Sequence, residues 1–169
     1  MRVYLVDTGA LLTNWVQKNP DARFVAPSSV IEEIRNRPSI QRVESLISLD
    51  RLSIEDAQEH CIREAQKAAT ETGDISVLST QDIDLLGLAF RRSRNGDEVT
   101  VVSTDIAVLN VARFIGVKIL DPRGKISHDV QWMMKCPACG NSTKNTKLVE
   151  CEVCGTKMKR RSVSRRKIK

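Results

Sequence analysis

Two groups of side chains in this sequence have the types and spacing to do chemistry. The first is four cysteines in two C-x-x-C-G pairs, Cys136-Pro-Ala-Cys139-Gly140 and Cys151-Glu-Val-Cys154-Gly155, with eleven residues between them. Thiolates suit a structural zinc ion, which takes four such ligands as a tetrahedron. Each C-x-x-C turn brings two sulfurs to one side of a knuckle, and the glycine that follows permits the positive φ of a tight turn. Residues 141–150 are long enough for a hairpin that returns the second knuckle to the first. One C-x-x-C would fit a redox motif, whereas two at this spacing specify a metal site. A pair of disulfides would need an oxidising compartment, which nothing else in the chain suggests. The spacing therefore predicts one structural zinc on Cys136, Cys139, Cys151 and Cys154. The fifth cysteine, Cys61, lies in the small apolar stripe Ala57, Cys61, Ala65, Ala68, Ala69 and reads as a buried, inert thiol. His60 beside it reads as a helix-surface residue.

The second group is four carboxylates, Asp7, Glu33, Asp82 and Asp105. Bare carboxylates brought together raise one another's pKa. The arrangement becomes sensible when magnesium or manganese, which prefer oxygen ligands, lies among them. Such ions hold a scissile phosphate and activate a water. The chain has no Gly-rich phosphate loop, no G-x-S-x-G elbow and no evident catalytic partner for either histidine. Each acid also has a plain structural role open to it. Asp7 and Asp105 precede helices and can cap them, Asp82 completes a capping box with Ser79, and Glu33 can pair with Arg37 one turn on. Asp74, Asp84 and Glu32 are nearby acids of lower rank. Ser103 and Thr104 either position a water or cap a helix.

These residues need a frame to hold them. Short apolar strands are expected at 2–6, 24–26, 52–54, 99–103 and 118–120, alternating with helices at 9–15, 27–36, 40–49, 57–70, 79–92 and 105–115. Pro38 is read as an interruption between two helices, and Gly73 as the end of the fourth. Alternating strands and helices with buried strands mark an α/β fold with a mostly parallel sheet covered on both faces. Ligand sites in such folds collect at the carboxyl ends of the strands. Asp7 directly follows the first strand and Asp105 the fourth, and Asp82 and Glu33 sit in early turns of helices. All four acids are thus expected at one end of the sheet.

Charge divides the chain. It carries 27 basic and 21 acidic residues, net +6. Residues 130–169 hold eleven basic and two acidic side chains, so they are net +9 and the remainder is net −3. A basic tail on a zinc module suggests contact with a phosphate backbone. Lys135, Lys144, Lys147, Lys157, Lys159, Arg160 and Arg161 are the expected contacts. The tail has almost no apolar face, no apolar run approaches a membrane span, and the N-terminus lacks a secretory pattern, so a cytoplasmic protein is expected.

Particular motifs carry a resemblance. Val6-Asp7-Thr8, Val30-Ile-Glu-Glu33-Ile34, Asp82 and Thr104-Asp105 resemble the acidic set of PIN-domain nucleases. Thr72-Gly-Asp74, Leu78-Ser-x-x-Asp82-Ile83, Asn110-Val-Ala112 and the four-cysteine ribbon narrow the resemblance to the archaeal form of the Nob family. Ile106 occupies the place where most PIN proteins carry a second acid. The resemblance implies a three-layer PIN-like domain over 1–125, a linker over 126–134, a zinc ribbon over 135–157 and a basic tail over 158–169. It also implies an endoribonuclease with manganese or magnesium on Asp7, Glu33, Asp82 and Asp105. The implied partners are the small-subunit ribosomal RNA precursor and the pre-ribosomal particle, with no DNA. Two other readings stay open: a toxin-like PIN ribonuclease, and a non-catalytic zinc-ribbon RNA-binding or ribosome-associated protein.

Overall fold

The computed structural model describes residues 2–124, 128–145 and 148–167. Five short strands form one all-parallel sheet: β1 (Arg2–Val6), β2 (Phe24–Ala26), β3 (Leu52–Ile54), β4 (Glu98–Val102) and β5 (Lys118–Leu120). Their spatial order is β3-β2-β1-β4-β5. Parallel neighbours require crossover connections, and helices supply them.

The strands alternate sides strictly enough to build two cores. Val3, Leu5, Val99 and Val101 face one side, against Ala65, Leu85, Leu86, Leu88, Val108 and Leu109. Val6, Phe24 and Val102 face the other, against Leu11, Val16, Val30, Val43 and Leu46. The first group of partners lies on α5 (Glu59–Thr72), α6 (Thr80–Arg94) and α7 (Ile106–Phe114). The second lies on α1 (Thr8–Leu11), α2 (Trp15–Lys18), α3 (Ser28–Glu32) and α4 (Arg37–Ser48). The result is the expected three-layer α/β domain. Leu85, Leu86 and Leu88 are fully buried, and truncating any one to alanine costs about 2–5 kcal/mol.

The topology creates a reversal beside β1. The chain runs outward from β1 to β2 and β3, then returns to β4 on the opposite side of β1. Crossovers leaving in opposite directions open a crevice at the carboxyl ends of β1 and β4. The register pairs Val6 with Val102 as the last partners of these strands, so Asp7 and Ser103 emerge side by side.

Two local expectations need correction. The helix expected over 9–15 is two short ones, because Asp7 caps α1 and Thr13 closes it by donating to the Ala10 carbonyl at 2.7 Å. Pro38 does not interrupt a helix. It sits in the first turn of α4, where a missing N–H is harmless, and Asn36 caps that helix by accepting from the Ser39 N–H at 3.0 Å.

The C-terminal region differs more. Where a linker and a tail were expected, β6 (His128–Lys135) pairs antiparallel with β8 (Lys159–Lys167), and β7 (Ser142–Thr143) pairs on the other edge of β6. Residues 126, 127, 168 and 169 lie outside the described residues. The physical reason is pairing. β6 carries the period-2 apolar alternation Val130, Trp132, Met134, whereas β8 is mostly basic, and each strand satisfies the other's backbone groups. No helix among the described residues is long and apolar enough to cross a membrane.

Candidate active site and zinc centre

Asp7 is the hub of the strand ends. Its backbone N–H donates to the Val102 carbonyl at 3.3 Å, which ties the end of β1 to β4. Its carboxylate accepts from the Ala10 N–H, from the Ser103 hydroxyl and from the Thr104 N–H. Only 8% of the residue is exposed. Burial pushes the Asp7 carboxyl above its ordinary value, in spite of the hydrogen bonds from Ser103, Ala10 and Thr104, and the charge of Asp82 adds to the rise.

The other three acids are tied in around it. The Thr8 hydroxyl, one residue past Asp7, donates to Glu33 Oε2 at 2.5 Å, which fixes Glu33 at the end of α3. Asp105 caps α7 by accepting from the Ala107 N–H at 2.7 Å, and its own N–H donates to the Ser103 hydroxyl at 2.9 Å. Asp82 closes the capping box of α6, where Oδ2 accepts from the Ser79 N–H at 2.8 Å and from its hydroxyl at 2.7 Å. The structural roles weighed for Asp7, Asp82 and Asp105 are therefore all occupied. Glu33 turns to Thr8.

The acids share one end of the sheet without closing into a single-ion cage. Among the described residues, the four cysteines are the one group of three or more His, Cys, Asp or Glu side chains whose ligand atoms lie within 4.8 Å of one another. Capping occupies one oxygen each of Asp82 and Asp105, and Thr8 occupies one of Glu33, which leaves the second oxygen of each without a partner among the described residues. The described residues include no ion pair to Asp7, Glu33, Asp82 or Asp105. A buried carboxylate whose charged neighbour is another carboxylate is unfavourable. A divalent cation that prefers oxygen ligands is the group that would relieve it, and the donor set fits such an ion.

Gly9 makes this packing possible, and the sequence held no signal for it. A Cβ at Gly9 would stand 2.6 Å from Thr104 Oγ1 and 3.5 Å from Asp7 Oδ1. Thr104 is short and branched, with its own Cβ 3.7 Å from that position, so relief requires a change of its χ1 rotamer. Gly9→Ala is expected to displace Thr104 and the Asp7 bonds, costing about 1–3 kcal/mol of stability and about ten-fold or more in cleavage rate. Thermal melting and single-turnover rates check both. Ser29, which donates to Asp84 at 2.7 Å, and Arg123, which donates to the Thr104 carbonyl, brace the rim.

The cysteines form the second centre. Cys136 and Cys154 Sγ atoms are 3.4 Å apart, and Cys139 and Cys151 Sγ atoms 3.6 Å apart. A disulfide would need about 2.05 Å, whereas a zinc tetrahedron with Zn–S of about 2.3 Å has edges of about 3.8 Å. The knuckles repeat one geometry. Gly140 N–H donates to the Cys136 carbonyl at 3.1 Å and Gly155 N–H to the Cys151 carbonyl at 2.8 Å. Cys136 N–H donates to the Asn141 carbonyl, and Cys151 N–H to that of Thr156, at 2.8 and 3.0 Å. Both glycines have positive φ, 77° and 70°. The Thr156 hydroxyl and backbone, with the flanking thiols, hold Cys154 down at about 6, whereas the same neighbouring thiols push Cys139 up to about 12. Cys61 is buried as expected.

The basic residues divide by strand face. Directly opposed residues share a face, and the register opposes Lys135 to Lys159, Met133 to Arg161 and Met134 to Arg160. Lys135, Lys159 and Arg161 are exposed on one side, and Lys144 and Lys157 are exposed nearby. Lys147 lies outside the described residues. Arg160 departs from expectation. It faces the nuclease body, donates to Asp74 at 2.7 Å and to the Gly73 carbonyl at 3.1 Å, and lies 4.3 Å from the centre of the Trp132 ring. A guanidinium so engaged is not free to grip a phosphate.

Comparison with known proteins follows the same lines. A family model described as the PIN domain of ribonuclease matches residues 4–91, which include Asp7, Glu33 and Asp82 but not Asp105. The chain is similar to the Endoribonuclease Nob1 of Archaeoglobus fulgidus, 30% identical over 159 residues, covering 92% of this chain and 89% of that protein. It is similar to the Endoribonuclease Nob1 of Pyrococcus abyssi, 31% identical over 131 residues, covering 77% and 78%. Ribonuclease VapC1 of Thermoplasma acidophilum is 29% identical over 160 residues, covering 94% of this chain and 77% of that protein.

Proposed function

The chain belongs to the Nob1-type PIN-domain ribonucleases, and from that premise we propose that it matures the 3′ end of the small-subunit ribosomal RNA precursor, acting on the pre-ribosomal particle. The observation that carries this reading is Asp7: a buried carboxylate with Asp82 for a charged neighbour, linked through Thr8 to Glu33 and through Ser103 to Asp105. Asp7, Glu33, Asp82 and Asp105 would hold manganese or magnesium. Such an ion, when bound, supplies an activated water and neutralises charge on the scissile phosphate. The Ser103 hydroxyl and the Ala10 and Thr104 N–H groups keep Asp7 oriented, and Thr8 does the same for Glu33. No side chain needs to form a covalent bond to the RNA, and the products carry a 5′ phosphate and a 3′ hydroxyl.

The nuclease domain spans 1–125 and is net acidic, so it grips RNA poorly alone. The ribbon, held by one zinc on Cys136, Cys139, Cys151 and Cys154, is lengthened at both ends by β6 and β8. It supplies the grip through Lys135, Lys144, Lys157, Lys159 and Arg161. Lys159→Ala is expected to weaken binding of all sequences alike and to reduce the slope of log K against log salt by about one. Fluorescence anisotropy across a salt series checks this.

The likeness to VapC1 sets the experiment. Precursor RNA and an unrelated single-stranded RNA of equal length compete for the enzyme in manganese. Preferential cleavage of the precursor supports the maturation reading. Equal rates would replace it with a general, toxin-like ribonuclease.

A further inference from the structure

Asp74 is the least exposed carboxylate among the described residues, inaccessible to solvent, and it has no place in the chemistry above. It follows α5 directly, and its backbone N–H donates to the Ala69 carbonyl at 2.8 Å. One carboxylate oxygen accepts from the Asn110 amide of α7 at 2.6 Å, and the other accepts from Arg160 of β8 at 2.7 Å. Arg160 also donates to the Gly73 carbonyl, and its guanidinium lies over Trp132 of β6. Arginine suits this position because its plane stacks on an aromatic face while one terminal amino group, Nη2, donates to both acceptors. A solvent-exposed tether would be worth little. This one is buried on the Asp74 side and ties residues 86 apart in sequence.

The elements it joins matter more than the bond itself. Asn110 lies on α7, whose first turn is capped by Asp105, and Asp74 leads into α6, whose first turn carries Asp82. Arg160 lies on the opposite face of β8 from Lys159 and Arg161. The acids and the basic strand face are thereby held by one clasp. We propose that Asp74, Arg160 and Trp132 position the basic face of the ribbon at a set distance from the acidic centre, so that the grip on the RNA determines which phosphodiester reaches Asp7. These are positioning residues and touch no reacting atom. The proposal rests on the nuclease reading.

The test uses the full chain and two RNAs: the precursor, long enough to reach both the acids and the ribbon, and a short oligoribonucleotide that reaches only the acids. Asp74→Asn, Arg160→Met and the double variant are compared for cleavage position, KM and kcat. The clasp predicts that both single variants scatter the cut sites on the precursor and raise its KM about ten-fold. Asp74→Asn should keep its kcat on the short RNA and its zinc. The double variant should be no worse than either single one, because the two residues act as one unit. If Arg160→Met weakens the reaction and Asp74→Asn does not, Arg160 grips the RNA directly and the clasp is wrong. Parent-like cut sites and KM in both variants also overturn it. Should Asp74→Asn fail to fold, Trp132→Leu, which removes only the stacking, is expected to scatter the cut sites in its place. A parent that cuts neither RNA overturns the nuclease reading itself.

Discussion

Asp7→Asn is expected to lower the rate of RNA cleavage by about 10³-fold, roughly 4 kcal/mol of transition-state stabilisation, while leaving the fold intact. The two halves of this expectation have separate causes. Asparagine keeps the shape and one oxygen, so it can still accept from the Ala10 N–H and donate to the Ser103 hydroxyl, giving up only the long bond from the Thr104 N–H at 3.4 Å. It loses the charge that would bind a cation. The charge is also what makes Asp7 unfavourable in the metal-free protein, since burial raises its pKa. A carboxyl whose folded pKa is raised favours the folded state below its unfolded value and loses that contribution as pH rises through the folded value. Metal-free parent should therefore lose stability relative to the variant as pH rises from about 4 toward neutrality. Asp74 is also raised by burial, against hydrogen bonds from Asn110, Thr72 and Arg160, but it is present in both proteins and cancels. Manganese should reverse the ranking by raising the melting temperature of the parent and not of the variant. Melting curves at several pH values, with chelator and with manganese, check all of this. A variant that melts much earlier than the parent at neutral pH would mean that Asp7 is chiefly a structural cap.

Removing zinc should have the second large effect, confined to the C-terminal module. Among the described residues, its buried core is Cys136, Cys151 and Met158, with Met134 and Leu148 packed against it. A core that small cannot hold a fold by burial, and the proposed zinc would supply the stability. Structural zinc contributes on the order of 10 kcal/mol in comparable modules. Cys151→Ser, or a strong chelator, is expected to release one zinc per chain and to open the region after residue 128 to protease. The three-layer domain, with its two large cores, should survive. Binding of long RNA should fall by at least ten-fold, and cleavage of a short oligoribonucleotide should persist. Elemental analysis, limited proteolysis and the two substrates separate these outcomes. Equal loss on both RNAs would show that zinc supports the acidic centre too.

Much of this architecture could be read from local pattern. Buried parallel strands are short apolar runs, and Val3-Tyr-Leu-Val6 and Val99-Thr-Val-Val102 announce themselves as such. The cysteine pairs are visible because both ligands of each knuckle lie within four residues. Asp7 and Asp105 stand out because a strand end and a helix start are both local signals. What stayed hidden depends on register between distant segments. The bond from Ser103 to Asp7 exists because Val6 lies opposite Val102, and the need for glycine at position 9 follows from that same pairing. Glu55 holds Arg91 and Arg92 across more than thirty residues without any local pattern to reveal it. The tail was misread for a related reason. Basic composition usually means a solvated segment, and only pairing with β6 turns Lys159–Lys167 into a strand with Lys159 and Arg161 exposed on one face and Arg160 toward the body.

The most direct test of the central claim is end-mapped cleavage of the small-subunit ribosomal RNA precursor by the parent, Asp7→Asn and Asp105→Asn proteins, with and without manganese. The account predicts a cut near the mature 3′ end that appears only with the parent and the metal, leaving a 5′ phosphate on the released fragment. Cleavage at the same position by folded Asp7→Asn and Asp105→Asn proteins, or by the parent in chelator, would contradict it.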